Sequence, residues 1–172
     1  MSGRRGKRGP TRKQPKNVRH LLLTGIPATG KTCIGKYLHD TRRFKHVDFE
    51  THALFGYMPD GFNIDRRRMR EVAQERRDFI ITWGFLPDTQ LRAVLELREL
   101  AFEWIWFDGD RTLALTKYLG LGRSRPHWDR QLDKIEQYID PRIHELAPRI
   151  VDPFDAGDYR PLEELAAEIV HY

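Results

Sequence analysis

The segment Gly25-Ile26-Pro27-Ala28-Thr29-Gly30-Lys31-Thr32 constrains this chain more than any other. It fits the pattern glycine, four residues, Gly-Lys-Thr. An apolar run, Val18–Thr24, precedes it and reads as a short buried strand. Ile34, Tyr37 and Leu38 follow at helical spacing, so a helix is expected from Lys31 to about Asp40. Gly25 and Gly30 give the backbone the freedom to turn successive N–H groups toward one point. A helix N-terminus just beyond adds positive potential, and the combination suits phosphate. Lys31 is then placed to neutralise the outer phosphates, and the Thr32 hydroxyl is a natural Mg²⁺ ligand. Gly25, Ala28, Thr29, Gly30, Lys31, Thr32 and Cys33 are the expected nucleotide-binding segment. Cys33 reads as a small helix filler.

The rest of the chain alternates between the two periods. Strands are expected at Lys45–Glu50, Asp78–Trp83, Phe102–Phe107 and Arg149–Val151. Helices are expected from Asp65 to about Arg77, after Asp88 as a cap, over Asp110–Leu119, from about His127 to Ile139, and over Leu162–Val170. Residues 51–64, with Gly56, Pro59 and Gly61, read as irregular, and Gly120–Pro126 as a loop. Short apolar strands alternating with helices predict an α/β domain with a parallel sheet covered on both faces.

Composition sets the limits. At 172 residues, with 40% hydrophobic and 32% charged, the chain suits one globular domain. No run reaches the roughly 18 apolar residues of a membrane helix, and no secretory pattern is visible. The single cysteine excludes an internal disulfide framework, so a cytoplasmic protein is expected. The net charge of +5 is unevenly spread. Residues 1–17 hold seven of the 30 basic side chains and no acid, leaving 23 against 25 acidic groups in residues 18–172. The 1–17 tail is expected to be disordered, with loose contact to nucleic acid or another polyanion as its possible use.

No Asn-Lys-x-Asp element for a guanine base is present. The loop with Thr32-Cys33-Ile34-Gly35-Lys36-Tyr37-Leu38 and the strand ending His46-Val47-Asp48-Phe49-Glu50 resemble the opening of small P-loop kinases. Trp106-Phe107-Asp108-Gly109-Asp110, then Arg123-Ser124-Arg125-Pro126 and Gln131-Leu132-Asp133-Lys134-Ile135-Glu136, resemble the gluconate kinase, shikimate kinase and adenylylsulfate kinase group. Val151-Asp152 and Pro161-Leu162-Glu163-Glu164-Leu165-Ala166 are similar to its closing pattern. The resemblance spans residues 18–172. It implies a five-stranded parallel sheet of order 2-3-1-4-5, a lid at about 120–130, and transfer of the γ-phosphoryl group of ATP, with Mg²⁺, to a small-molecule acceptor such as a sugar acid.

Phosphoryl transfer needs charge neutralisation, alignment, and a group to orient the acceptor hydroxyl. Asp48 ends the second strand at the sheet edge that carries the phosphate loop, so it is the expected catalytic group and a metal candidate with Thr32. Glu50 projects to the same side. The pair resembles the Asp-x-Asp of shikimate kinases, with Glu in the second place. The third strand ends Thr82-Trp83-Gly84-Phe85 and lacks the usual acid, and Asp108 is the other candidate. Arg125, then Arg123, are the lid arginines expected to meet the phosphates, with Arg130 beside them. Arg66, Arg67, Arg68 and Arg70 could bind an anionic acceptor, Arg67 foremost, and Trp83, Phe85, Phe55 and Tyr57 could wall its pocket. The seven histidines show no metal-ligand spacing and receive no role. Two other readings stand beside the small-molecule kinase: a nucleotide or polynucleotide 5′-hydroxyl kinase, favoured by the basic tail, and an ATP-binding regulatory protein, favoured by the missing acid. Oligomeric state stays open.

Overall fold

The computed structural model describes residues 18–50 and 66–171, except the side chains of Arg66, Arg68 and Met69. The tail 1–17, the Asp65 cap, Phe55 and Tyr57 lie outside the described residues, as do the side chains of Arg66 and Arg68. Five strands, β1 (His20–Gly25), β2 (Lys45–Asp48), β3 (Phe79–Thr82), β4 (Glu103–Phe107) and β5 (Arg149–Val151), pair in the order β2-β3-β1-β4-β5. Every pairing is parallel. The helices are α1 (Lys31–Arg42), α2 (Arg66–Gln74), α3 (Pro87–Glu99), α4 (Arg111–Gly120), α5 (Arg125–Tyr138), α6 (Ile143–Leu146) and α7 (Leu162–His171). A two-stranded antiparallel hairpin, β6 (Phe154–Asp155) and β7 (Asp158–Tyr159), precedes α7.

The strand period of two sorts the core. Leu21, Leu23, Ile80, Ile105 and Phe107 point to one face, where Ile34 and Leu38 of α1 and Leu165 and Ile169 of α7 cover them. Leu22, Val47, Phe79, Ile81, Trp104 and Trp106 point to the other, against Val94 and Leu97 of α3 and Trp128 and Ile135 of α5. Burial of both faces explains why β1, Leu-Leu-Leu in its middle, is apolar without alternation. Trp104 is accommodated because its indole N–H donates to the buried Thr24 hydroxyl at 2.7 Å. Among the described residues no helix is long and apolar enough to cross a membrane.

Several boundaries differ from expectation for identifiable reasons. Asp88 does not cap α3. Leu86 holds that place, its N–H bonded at 2.6 Å to the Gln90 side chain, while Asp88 pairs with Lys134 at 3.2 Å. Asp110 does cap α4, accepting from the N–H groups of Thr112 and Leu113 at 2.9 Å each. The loop expected at 120–126 is shorter: α4 runs to Gly120 and α5 begins at Arg125, so only 121–124 connect them. Pro126 sits in the first turn of α5, where its missing N–H costs nothing.

Candidate active site

The phosphate loop is fixed where β1 meets β4. Gly25 has φ 132°, and a Cβ there would lie 2.1 Å from the Phe107 carbonyl oxygen, so glycine is required twice over. The next N–H, from Ile26, donates to that same oxygen at 3.0 Å. Ala28 and Gly30 both take left-handed conformations, at φ 55° and 80°, and Gly30 is the N-cap of α1. The Thr29 hydroxyl donates to the Ile26 carbonyl at 2.7 Å.

Lys31 is folded back into this loop. Its ammonium donates to the carbonyls of Ile26 and Gly25 at 2.7 and 3.1 Å and to the Thr29 hydroxyl at 3.4 Å. Burial lowers its pKa to about 8; Glu50 and Asp48 oppose the shift, and Arg123 adds to it. Thr32, one residue on, donates from its hydroxyl to Asp48 Oδ2 at 3.0 Å. Asp48 Oδ1 in turn accepts the Glu50 N–H at 3.0 Å, which folds the chain over the end of β2. A hydroxyl and a carboxylate make a hard oxygen pair, so the donor set present fits Mg²⁺.

No acid ends β3, but a carboxylate from beyond β2 lies against the turn that follows it. A Cβ at Gly84 would lie 2.2 Å from Glu50 Oε1, so the Glu50 carboxylate rests against the turn after β3. Asp108 is engaged elsewhere. Arg111 binds it at 3.0 Å and binds Asp140 at 2.7 Å, and the Trp106 indole N–H donates to it at 3.3 Å. That cluster ties the end of β4 to the turn after α5.

The lid arginines differ in their surroundings. Arg123, in the 121–124 connection, lies over the Tyr118 ring at 5.5 Å and is near enough to Lys31 to depress its pKa. Arg125, the first residue of α5, is paired with Asp129 at 2.6 Å on its own helix, and Arg130 is exposed. Arg67 is exposed and paired with Glu71 at 3.2 Å, an i,i+4 contact of a solvated helix face. Trp83, expected at an acceptor pocket, is 2% exposed. Its ring lies 5.3 Å from Phe49 and 5.6 Å from Phe85, so both Trp83 and Phe85 are core. Thr82 is buried and bonded to His46 Nε2 at 2.8 Å.

No family model matches the sequence, and no curated protein matches it. Solved structures do resemble the fold. A gluconokinase from Sinorhizobium meliloti 1021 is similar at a TM-score of 0.55 and 18% identity, over 89% of this chain and 90% of that one. A shikimate kinase from Acinetobacter baumannii, in complex with shikimate, is similar at 0.58 and 15%, over 91% and 93%. A sugar kinase from Janibacter sp. HTCC2649 is similar at 0.52 and 16%, over 90% and 94%. Together with the sheet order and the phosphate loop at the end of β1, these settle the architecture. The chain has the fold of the small P-loop kinases.

Within this P-loop kinase fold, one group near the phosphate loop was not singled out by the sequence reading. The hairpin β6–β7 leans on the loop. The Tyr159 hydroxyl donates to the Ala28 carbonyl at 2.6 Å, and its ring flanks Gly30. The signal was available: Phe154-Asp155-Ala156-Gly157-Asp158-Tyr159 places aromatics on either side of a two-residue turn. Ala156 and Gly157 both have positive φ, as such hairpin turns require.

Proposed function

We propose that this chain is an ATP-dependent phosphotransferase that moves the γ-phosphoryl group to a hydroxyl of a small polar metabolite, a sugar acid or similar. The observation that carries the reading is the buried Lys31 ammonium beside the Thr32–Asp48 hydroxyl–carboxylate pair, all at the carboxyl end of the parallel sheet. The likeness in fold to gluconokinase and shikimate kinase structures supports it.

Each residue has a role under this reading. The loop N–H groups and Lys31 hold the donor phosphates, and Lys31 exchanges its carbonyl partners for phosphate oxygens. Thr32 and Asp48 would hold Mg²⁺, which when bound offsets phosphate charge. Asp48 also orients the acceptor hydroxyl and takes its proton as the oxygen attacks the γ-phosphorus, while the bond from that phosphorus to the β–γ bridging oxygen breaks and ADP leaves. Glu50, two residues past Asp48, lays its carboxylate against the turn after β3 and would supply there the acid that β3 lacks. That substitution weighs against the regulatory reading. Arg123 is the lid arginine already within electrostatic reach; Arg125 would first have to release Asp129.

The test is ADP formation from Mg·ATP across sugar acids, shikimate, adenylylsulfate, nucleoside monophosphates and 5′-hydroxyl oligonucleotides. Acceptor-dependent turnover that Lys31→Ala and Asp48→Asn both abolish is expected with a sugar acid or a close relative. ATP binding that needs Lys31, without turnover on any acceptor, would instead favour the regulatory reading.

A further inference from the structure

We propose that Tyr159 is a positioning residue for the phosphoryl donor, acting through the phosphate loop, which it holds in a binding shape before any ligand arrives. The inference rests on the phosphotransferase reading for the identity of its ligand and on the geometry of the hairpin for the rest.

Two residues of the loop occupy left-handed backbone conformations, Ala28 at φ 55° and Gly30 at φ 80°. Glycine adopts such a conformation freely, but alanine does not, so surrounding contacts must over-determine Ala28. Tyr159 touches both positions. Its hydroxyl donates to the Ala28 carbonyl at 2.6 Å. A Cβ built on Gly30 would meet the ring at 3.7 Å, so the ring packs against this glycine at ordinary contact distance. The peptide unit carries the consequence. It is planar and trans, so the Ala28 C=O and the Thr29 N–H point in opposite directions. Holding that carbonyl on the hairpin turns the Thr29 N–H away from it, as an anion-binding loop requires.

The hairpin is exposed along β7, and several contacts tie it to the body of the domain. Phe154, 8% exposed, lies 5.3 Å from the Tyr159 ring. Lys117 of α4 pairs with Asp158 at 2.5 Å and sits 5.1 Å over the Tyr159 ring. Arg160 closes the base, its N–H donating to the Pro153 carbonyl and its guanidinium to the Asp152 carbonyl, each at 2.9 Å. Burial raises the Tyr159 pKa, with Cys33 and Asp158 adding to the shift, so the phenol keeps its proton to donate. Because Lys117 belongs to the helix that leads into the 121–124 connection, the same brace joins the lid arm to the phosphate loop.

The experiment measures affinity for inorganic tripolyphosphate and for Mg·ATP by calorimetry on the full chain, with steady-state kinetics on whichever acceptor the ADP-formation panel identifies. The proteins are wild type, Tyr159→Phe and Lys31→Ala. Tyr159→Phe removes the hydroxyl and keeps the ring. It is expected to weaken both ligands by about five-fold, raise KM for ATP in proportion and leave kcat unchanged, with a thermal midpoint lowered by no more than about 4 °C. Unchanged tripolyphosphate affinity in Tyr159→Phe, with binding lost in Lys31→Ala, overturns the inference alone. A loss for Mg·ATP but not for tripolyphosphate overturns it too, because Tyr159 then acts on the nucleoside. A wild-type chain that binds neither ligand overturns the donor-site reading itself.

Discussion

Lys31 couples ligand binding to pH with a definite sign. Its folded pKa of about 8 lies below the ordinary 10.5 of an exposed lysine. The free protein therefore loses this charge as pH rises through about 8, and affinity for a polyphosphate should fall over the same range. A bound phosphate restores the charge, so binding of Mg·ATP should take up more proton at pH 9 than at pH 7. Calorimetry in buffers of different ionisation enthalpy checks this. The linkage to stability runs the other way. Between about 8 and 10.5 the unfolded chain holds the proton that the folded one has released, so the Lys31 contribution to stability rises with pH. A second prediction concerns Gly84→Ala. Its Cβ would meet only the end of the Glu50 side chain, so the carboxylate must move while the backbone stays. Acceptor KM should rise about ten-fold or more, with the thermal midpoint nearly unchanged. At this scale the phosphate loop was legible because its spacing is its mechanism. The ranking of Arg125 over Arg123 was not supported by the contacts, because an Asp129 four residues on captures Arg125. Trp83 read as a pocket wall because a strand end gives no sign of which aromatic neighbours will enclose it.

Elements fail or hold according to what their ends touch. Gly25→Ala places a Cβ against backbone atoms of Phe107 rather than a yielding side chain, at a φ that alanine resists. It should destabilise the fold by about 2–4 kcal/mol in denaturant titration. Arg111→Ala leaves Asp108 and Asp140 without their shared partner at the end of β4. A loss of about 1–3 kcal/mol is expected, with ATP affinity nearly unchanged, since Asp108 serves structure. Periodicity located all five sheet strands and all the long helices because each buries a face that its sequence must match. The hairpin β6–β7 escaped because strands of two residues carry no period. The lid connection came out too long because Arg-Pro reads as a breaker, although proline at the start of a helix is well tolerated.

The whole molecule divides its site between strands of unequal support. The sheet order was expected from the resemblance, and composition alone would not have supplied it, since many orders satisfy the same alternation of strands and helices. The tail offers a test of the full chain. Removing residues 1–17 should leave turnover of a small acceptor within about two-fold of wild type while weakening retention on a polyanion column, steeply so at low salt. The donor loop grows from β1, which has a neighbour on each side. Asp48 ends and Glu50 follows β2, a four-residue strand at the rim with β3 as its sole sheet partner among the described residues. The two halves of the reaction therefore stand on ground of different firmness. Amides of β2 should exchange with deuterium in partial openings that leave β1 closed, so the acceptor side can breathe while the phosphate cradle keeps its shape.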